Sequence, residues 1–211
     1  GASPFLINIA GCCINVLINN TLYKYGGDIA IGAAGIFNTY TQMVVMTVLG
    51  ICQGLQPIIG YNFGANKYDR MRSAYFRAIW VSLVIFTIGT LGSMCGTKYI
   101  VKAFTTDSEL IDASIYALRL STISFWTVGI PIISTALFQS VGDAGKAIFL
   151  SLTRQVIYII PIMLILPRIL GLKGVWLSFP LSDLCTLATT IILVKRELSR
   201  IKTRMGVINV E

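Results

Sequence analysis

Apolar residues along the chain fall into blocks about as long as a bilayer is thick. A spanning helix needs about 20 predominantly apolar residues. Six segments meet that need, approximately 4–23, 30–61, 74–97, 109–140, 144–168 and 174–194. The fifth holds the most continuous run, VIYIIPIMLILP, while Asn8, Asn15, Asn19 and Asn20 interrupt the first. The second and fourth have length to spare for tilt or projection. Connections are short, so consecutive helices are expected to run antiparallel. The pattern predicts an all-α membrane protein, a six-transmembrane-helix bundle over 1–196 followed by a basic tail over 197–211. Local signals add helix ends. Thr106 and Glu109 predict a capping box for the fourth helix. Asn66 and Asp69 predict the start of the third. Gly142 predicts the fourth helix's stop, and Asp143 the cap of the fifth.

Composition strengthens this reading. The chain has 211 residues, 55% hydrophobic and only 12% charged, with a mean hydropathy of +0.76. Ordinary soluble domains are about one quarter charged. The net charge of +8 raises nucleic acid as a partner. The distribution argues against it, because basic residues lie between apolar spans and not along one polar face. The bilayer is the expected partner.

Their placement predicts orientation. Lys67, Arg70, Arg72, Arg77, Lys146, Arg154, Lys195, Arg196, Arg200, Lys202 and Arg204 fall on the side of the two termini. Lys24, Lys98, Lys102, Arg168 and Lys173 fall on the other, so both ends are expected to be cytoplasmic. The basic tail then touches anionic headgroups. The chain begins at Gly1 and not at Met, and is expected to be part of a longer protein.

Catalysis has little to work with. There is no histidine, which rules out a Ser-His-Asp triad and a His-based metal site. The five cysteines lie in apolar stretches without a CxxC spacing and read as small hydrophobes. No enzymatic activity, metal or cofactor is expected.

Polar residues inside the spans are more informative. Asn8, Asn15 and Asn19 fall within about 40° of arc on a helix. Three amides in register read as the wall of a water-filled cavity; interhelical hydrogen bonding is the plainer alternative. The second span adds Asn38, Thr39, Tyr40, Thr41 and Gln42, then Gln53 and Gln56 beside Pro57, where unwinding would free backbone carbonyls. The fourth carries Thr127, Pro131 and Gln139, with nearby hydroxyls placed to satisfy carbonyls released by Pro131. Ionisable groups at depth cost about 2.5–3.5 kcal/mol and default to functional candidates. Asp183, Arg119 and Arg154 qualify. Asp183 reads either as an ion-coupling group or as a structural partner of Arg119 or of a helix terminus. Arg154 has the reach to snorkel to the cytoplasmic surface.

The segment GLQPIIGYNFGANKYDRMRSA at 54–74 joins a proline-bearing apolar helix to a tight turn and a basic burst. Gly64 is expected to supply the turn's unusual backbone angles, which makes Pro57, Gly64 and Pro131 the hinge candidates. Together with ALFQSVGDAGKA, LTRQVIYIIPIMLILPRILGLKGVW and FPLSD, this segment resembles the C-terminal half of multidrug and toxin extrusion (MATE) transporters, in their bacterial multidrug efflux branch. The likeness covers nearly the whole chain. Each motif is loose alone, but their order and spacing are specific.

That resemblance implies one lobe of a twelve-helix, two-lobe transporter in the bacterial plasma membrane. Its partner would be the N-terminal six-helix half of the same protein. It implies export of amphipathic, often cationic organic compounds by alternating access, coupled to protons or sodium. Positions around Cys12 and Thr127 are neutral where some branches carry coupling carboxylates. Coupling is then expected from the other half or from Asp183. The alternatives are a lipid-linked sugar flippase of the same superfamily and a self-contained six-helix protein acting as a homodimer.

Overall fold

The computed structural model describes the backbone of residues 2–208 and the side-chain surroundings of residues 11–203, residue 13 excepted. Every regular element among the described residues is helical. The helical stretch Ala2–Gly64 is two helices that meet at Gly27, whose φ of 61° and ψ of −159° lie outside helical space. A side chain there would strain the backbone; glycine does not. The first helix therefore covers 2–26, roughly 37 Å of rise, and the second 28–64, roughly 55 Å.

The third helix is Tyr68–Cys95, followed by the short helix Thr97–Lys102. The fourth span is broken: Ser108–Ser121 bends by 49° into Phe125–Ser140. The fifth, Ala144–Leu170, contains a π-helical stretch at Thr153–Tyr158. The sixth is Leu172–Ile208. Ile14–Gly64, Tyr68–Cys95, Ala144–Leu170 and Leu172–Thr203 are long and apolar enough to cross a membrane, and the bent pair adds another. Because Gly27 divides the first of these, the architecture is the six-helix bundle expected.

Two main cores hold the bundle together. One packs Cys52 and Ile59 of the second helix, Tyr75 and Phe86 of the third, Leu137 of the fourth and Leu150 of the fifth. The other, toward the Gly27 end, gathers Leu22, Ala33, Ala117, Met163 and Trp176. Small residues permit the closest approaches. A Cβ on Gly129 would sit 2.8 Å from Ser82 Oγ, and one on Gly174 only 2.4 Å from the Leu166 carbonyl oxygen. Buried hydroxyls mostly donate within their own helices, as Thr186 does to Ser182 O at 2.7 Å and Thr190 to Thr186 O at 2.7 Å.

The helix ends differ from expectation in instructive ways. Asp107, not Thr106, caps the fourth span, accepting from Glu109 N at 3.0 Å. The third helix starts after Lys67 with no side-chain cap. Gly142 (φ 80°) does end the fourth span. Asp143 N reaches Phe138 O at 2.9 Å there, and Asp143 Oδ1 accepts from Lys146 N at 3.1 Å.

The turn at 64–67 uses the same device with another residue. Lys67 N bonds Asn62 O at 2.8 Å, Asn66 N bonds Phe63 O at 3.1 Å, and Asn66 holds φ at 55°. This double-bonded ending places the left-handed residue one position past the cap. Gly64 is only the last helical residue, with open space where a Cβ would lie. We expect Asn66→Val to lower stability by roughly 1–2 kcal/mol, the cost of a left-handed conformation for such a side chain. Thermal melting of the purified protein would show it, with Gly64→Val near wild type.

The other two hinge expectations also move. The second helix passes through Pro57 unbroken to Gly64, so the backbone does not unwind there and only Gln53 O loses its helical donor. Pro131 is the third residue of Gly129–Ser140, in the first turn, where a helix has no use for the missing N–H. The break lies ahead of it, at 122–128. Ser134 and Thr135 donate to Ile130 O and Pro131 O in their own helix, at 2.7 and 2.9 Å.

Nor is the tail separate at 197. Val194 and Ile201 are buried and Leu198 packs against the same core, so the apolar spacing carries the sixth helix onward. Tyr68 Oη donates to Leu198 O at 3.3 Å. Lys146 bridges Asp143, at 2.6 Å, and Glu197. Its side-chain hydrogen bond holds the Asp143 carboxyl below the usual carboxylate range.

Candidate functional site: an amide-lined groove

Gly27 sets the depth of the first two helices against each other. Asn15 lies 12 residues before it and Asn38 11 after it, so an antiparallel pair brings the two amides to the same level. Gln42 follows one turn along. Asn15, Asn38, Thr39, Thr41, Gln42, Met43 and Met46 line an open groove of about 680 Å³. None of these seven carries a charge. The groove can offer amide donors and acceptors beside two thioethers, whose flexible, polarizable chains adapt to varied apolar shapes. Nothing in this set can activate a nucleophile.

The structure sorts the remaining candidates. Asn8 lies outside the residues whose side chains are described. Asn19 and Gln53 are exposed, away from the groove lining. Tyr40 turns inward, its hydroxyl donating to Gly89 O of the third helix. Gln56 Nε2 donates to Gln139 Oε1 at 3.0 Å, tying the second span to the fourth. Thr127 is buried and donates to Ser124 O at 2.7 Å within the break. Met43 and Met46 are additions that the polar pattern missed. They follow Gln42 by one and four residues on the same helix, which was the available signal.

The buried charges resolve differently from the sequence expectation. Arg154 Nε donates to Asp183 Oδ1 at 2.8 Å. The aspartate side chain is only 3% exposed and the arginine 36%. Arg154 lies 17 residues before Gly171 and Asp183 12 after it, so the arginine reaches roughly 7 Å deeper than its own level. It does not snorkel outward. The π-helical stretch that presents it precedes Pro161, which has no N–H to donate to the Ile157 carbonyl and whose ring crowds that oxygen. Arg119 instead donates to Thr97 Oγ1 at 3.3 Å. It occupies the last turn of Ser108–Ser121, where a cation suits the carbonyl end of a helix. Pro180 leaves Trp176 O without its helical donor, and Ser121 Oγ supplies one at 3.3 Å.

A family model described as MatE matches residues 5–165. Multidrug export protein MepA of Staphylococcus aureus (strain MSSA476) is 30% identical over 193 residues, covering 91% of this chain and 42% of the relative. The protein of that name in Staphylococcus saprophyticus subsp. saprophyticus is 26% identical with the same coverage. The chain thus spans less than half the length of these curated relatives, and corresponds to their C-terminal half. Among solved structures, the inward-facing conformation of a multidrug resistance MATE family transporter of the MOP superfamily superposes with a TM-score of 0.90 at 18% identity. It covers 96% of this chain and 47% of that one. An outward-facing structure of such a transporter gives 0.89 at 18% identity, covering 96% and 46%.

Proposed function

Since the chain belongs to the MatE family, we propose that it forms the C-terminal six-helix lobe of a twelve-helix, two-lobe antiporter. In this reading the antiporter exports amphipathic, often cationic organic compounds from a bacterium. The observation that carries this is the groove between Asn15, Asn38 and Gln42. It is a polar surface with apolar flanks that a membrane-facing wall has no use for. Open on one side, it supplies half of a cavity, and the N-terminal half of the protein is the natural source of the other wall. Neutral amides hold a cation without trapping it, and methionines accept its apolar body. The likeness of this lobe to inward-facing and outward-facing structures alike supports lobes that rock with little internal change.

Protons or sodium are the proposed coupling ions. With Asp183 held by Arg154 and no carboxylate among the described residues lining the groove, the N-terminal half is the better place for the coupling group. The spread of Lys and Arg supports plasma-membrane insertion with both ends of this chain cytoplasmic. A flippase for lipid-linked sugars gains no support from the groove, which offers no cation for a phosphate.

Expressed at full length in a pump-deficient bacterium, the protein should lower accumulation of a cationic dye, and dissipating the ion gradients should abolish the effect. Asn38→Leu with Gln42→Leu should change the ranking of exported dyes severalfold at unchanged protein level. Unaltered dye accumulation with correctly inserted wild-type protein would remove the drug-antiport reading.

A further inference from the structure

On the far side of the second helix from the amide groove lies a second depression, of about 390 Å³. Ile58, on its wall, stands about 160° around that helix from Gln42 at 100° per residue. Ile58 and Asn62 form one wall; Arg70, Ser73 and Arg77 of the third helix form the other. Among the described residues, neither arginine takes part in an ion pair. Asp69 shares the wall. It sits in the first turn of its helix, where the N-terminal end of the dipole favours its charge.

The third helix then changes character along one face. Arg70, Ala74, Arg77, Val81, Val84 and Ile88 fall within about 80° of arc. Val81, Val84 and Ile88 are 48%, 54% and 64% exposed, and Trp80 beside them is 69% exposed. A pair of guanidinium groups without an ion-pair partner among the described residues thus heads an open apolar lane, with exposed Trp80 about one turn from Arg77. Guanidinium groups recognise phosphate oxygens through paired N–H donors. Basic pockets between spans receive anionic headgroups.

We propose that this depression binds an anionic glycerophospholipid. Its headgroup phosphate sits between Arg70 and Arg77, and its acyl chains lie along Val81, Val84 and Ile88. Because the site is on the opposite side of the second helix from the amide groove, its occupation is separate from that of the groove.

The test uses the full-length protein in nanodiscs of phosphatidylcholine with and without phosphatidylglycerol, reading retained lipid by native mass spectrometry. Arg70→Ala with Arg77→Ala should lower retained phosphatidylglycerol about tenfold, leaving phosphatidylcholine unchanged. A photoactivatable phosphatidylglycerol should label the peptide spanning 70–88 in the wild-type protein, a reading that needs no variant. An equal loss in Lys195→Ala with Arg196→Ala would reduce the effect to general charge and overturn the site. Displacement by millimolar inorganic phosphate would assign the site to a soluble anion instead. Labelling confined to other helices would also overturn it.

Discussion

Asp183→Asn is expected to reduce the yield of folded protein, and adding Arg154→Gln is expected to restore most of it. The single change leaves a guanidinium drawn roughly 7 Å below its own level without the carboxylate that holds it there. Removing one partner from a fully buried pair costs about 3–5 kcal/mol. Arg154 is more than one third exposed, so water screens part of that loss and about 1–3 kcal/mol is the fitting expectation. The double variant has no charge to strand, and its amide and carboxamide groups can pair. Thermal melting of each full-length variant measures the effect, with dye export read alongside. Were Asp183 the ion-coupling group, Asp183→Asn would melt normally and fail to transport, and Arg154→Gln would repair nothing.

Gly174→Ala should be more damaging than its size suggests. The added carbon would stand 2.4 Å from the Leu166 carbonyl oxygen and 2.8 Å from the Pro167 nitrogen. Both are backbone atoms, so neither can swing aside as a side chain would. The fifth and sixth helices must separate along their shared edge, unseating buried Val175 and Trp176. A loss of about 2–3 kcal/mol is expected, at the upper end for overpacking. Gly50→Ala supplies the contrast. A Cβ there meets nothing within 4 Å, and the gain in helix propensity is about 1 kcal/mol at most. A melting temperature for Gly174→Ala equal to that of Gly50→Ala would show that the two helices yield more readily than the geometry implies.

The six-helix plan was legible because it rests on block length and on punctuation such as Gly142. The amide groove was partly legible for a similar reason. Asn15, Asn38 and Gln42 follow helical spacing, which a sequence displays directly. Gln56 lies within about 40° of Gln42's face, yet it is committed to Gln139. Only the placement of the fourth span decides that, and neither local period nor propensity carries such information. The ion pair failed to show for a related reason. Arg154 and Asp183 stand 29 residues apart at different depths, and the π-helical stretch changes which way the arginine points. Prolines misled most. Pro57, Pro131 and Pro161 look alike in sequence, but one rides in a continuous helix, one opens a helix and one follows a widened turn.

The reversals at Gly27 and Gly171 leave almost no loop on that face of the lobe. Each takes a single residue at positive φ between two helices. Lys24, Arg168 and Lys173 beside them are built into helical turns, which a protease cannot thread through its active site. Among the described residues, the segment 103–107, between Thr97–Lys102 and Ser108–Ser121, is the one non-helical run of several residues there. Trypsin reaching the lobe from that side therefore has Lys102 as its point of attack; under the orientation proposed above, an epitope meant for detection in intact cells belongs in the same five residues.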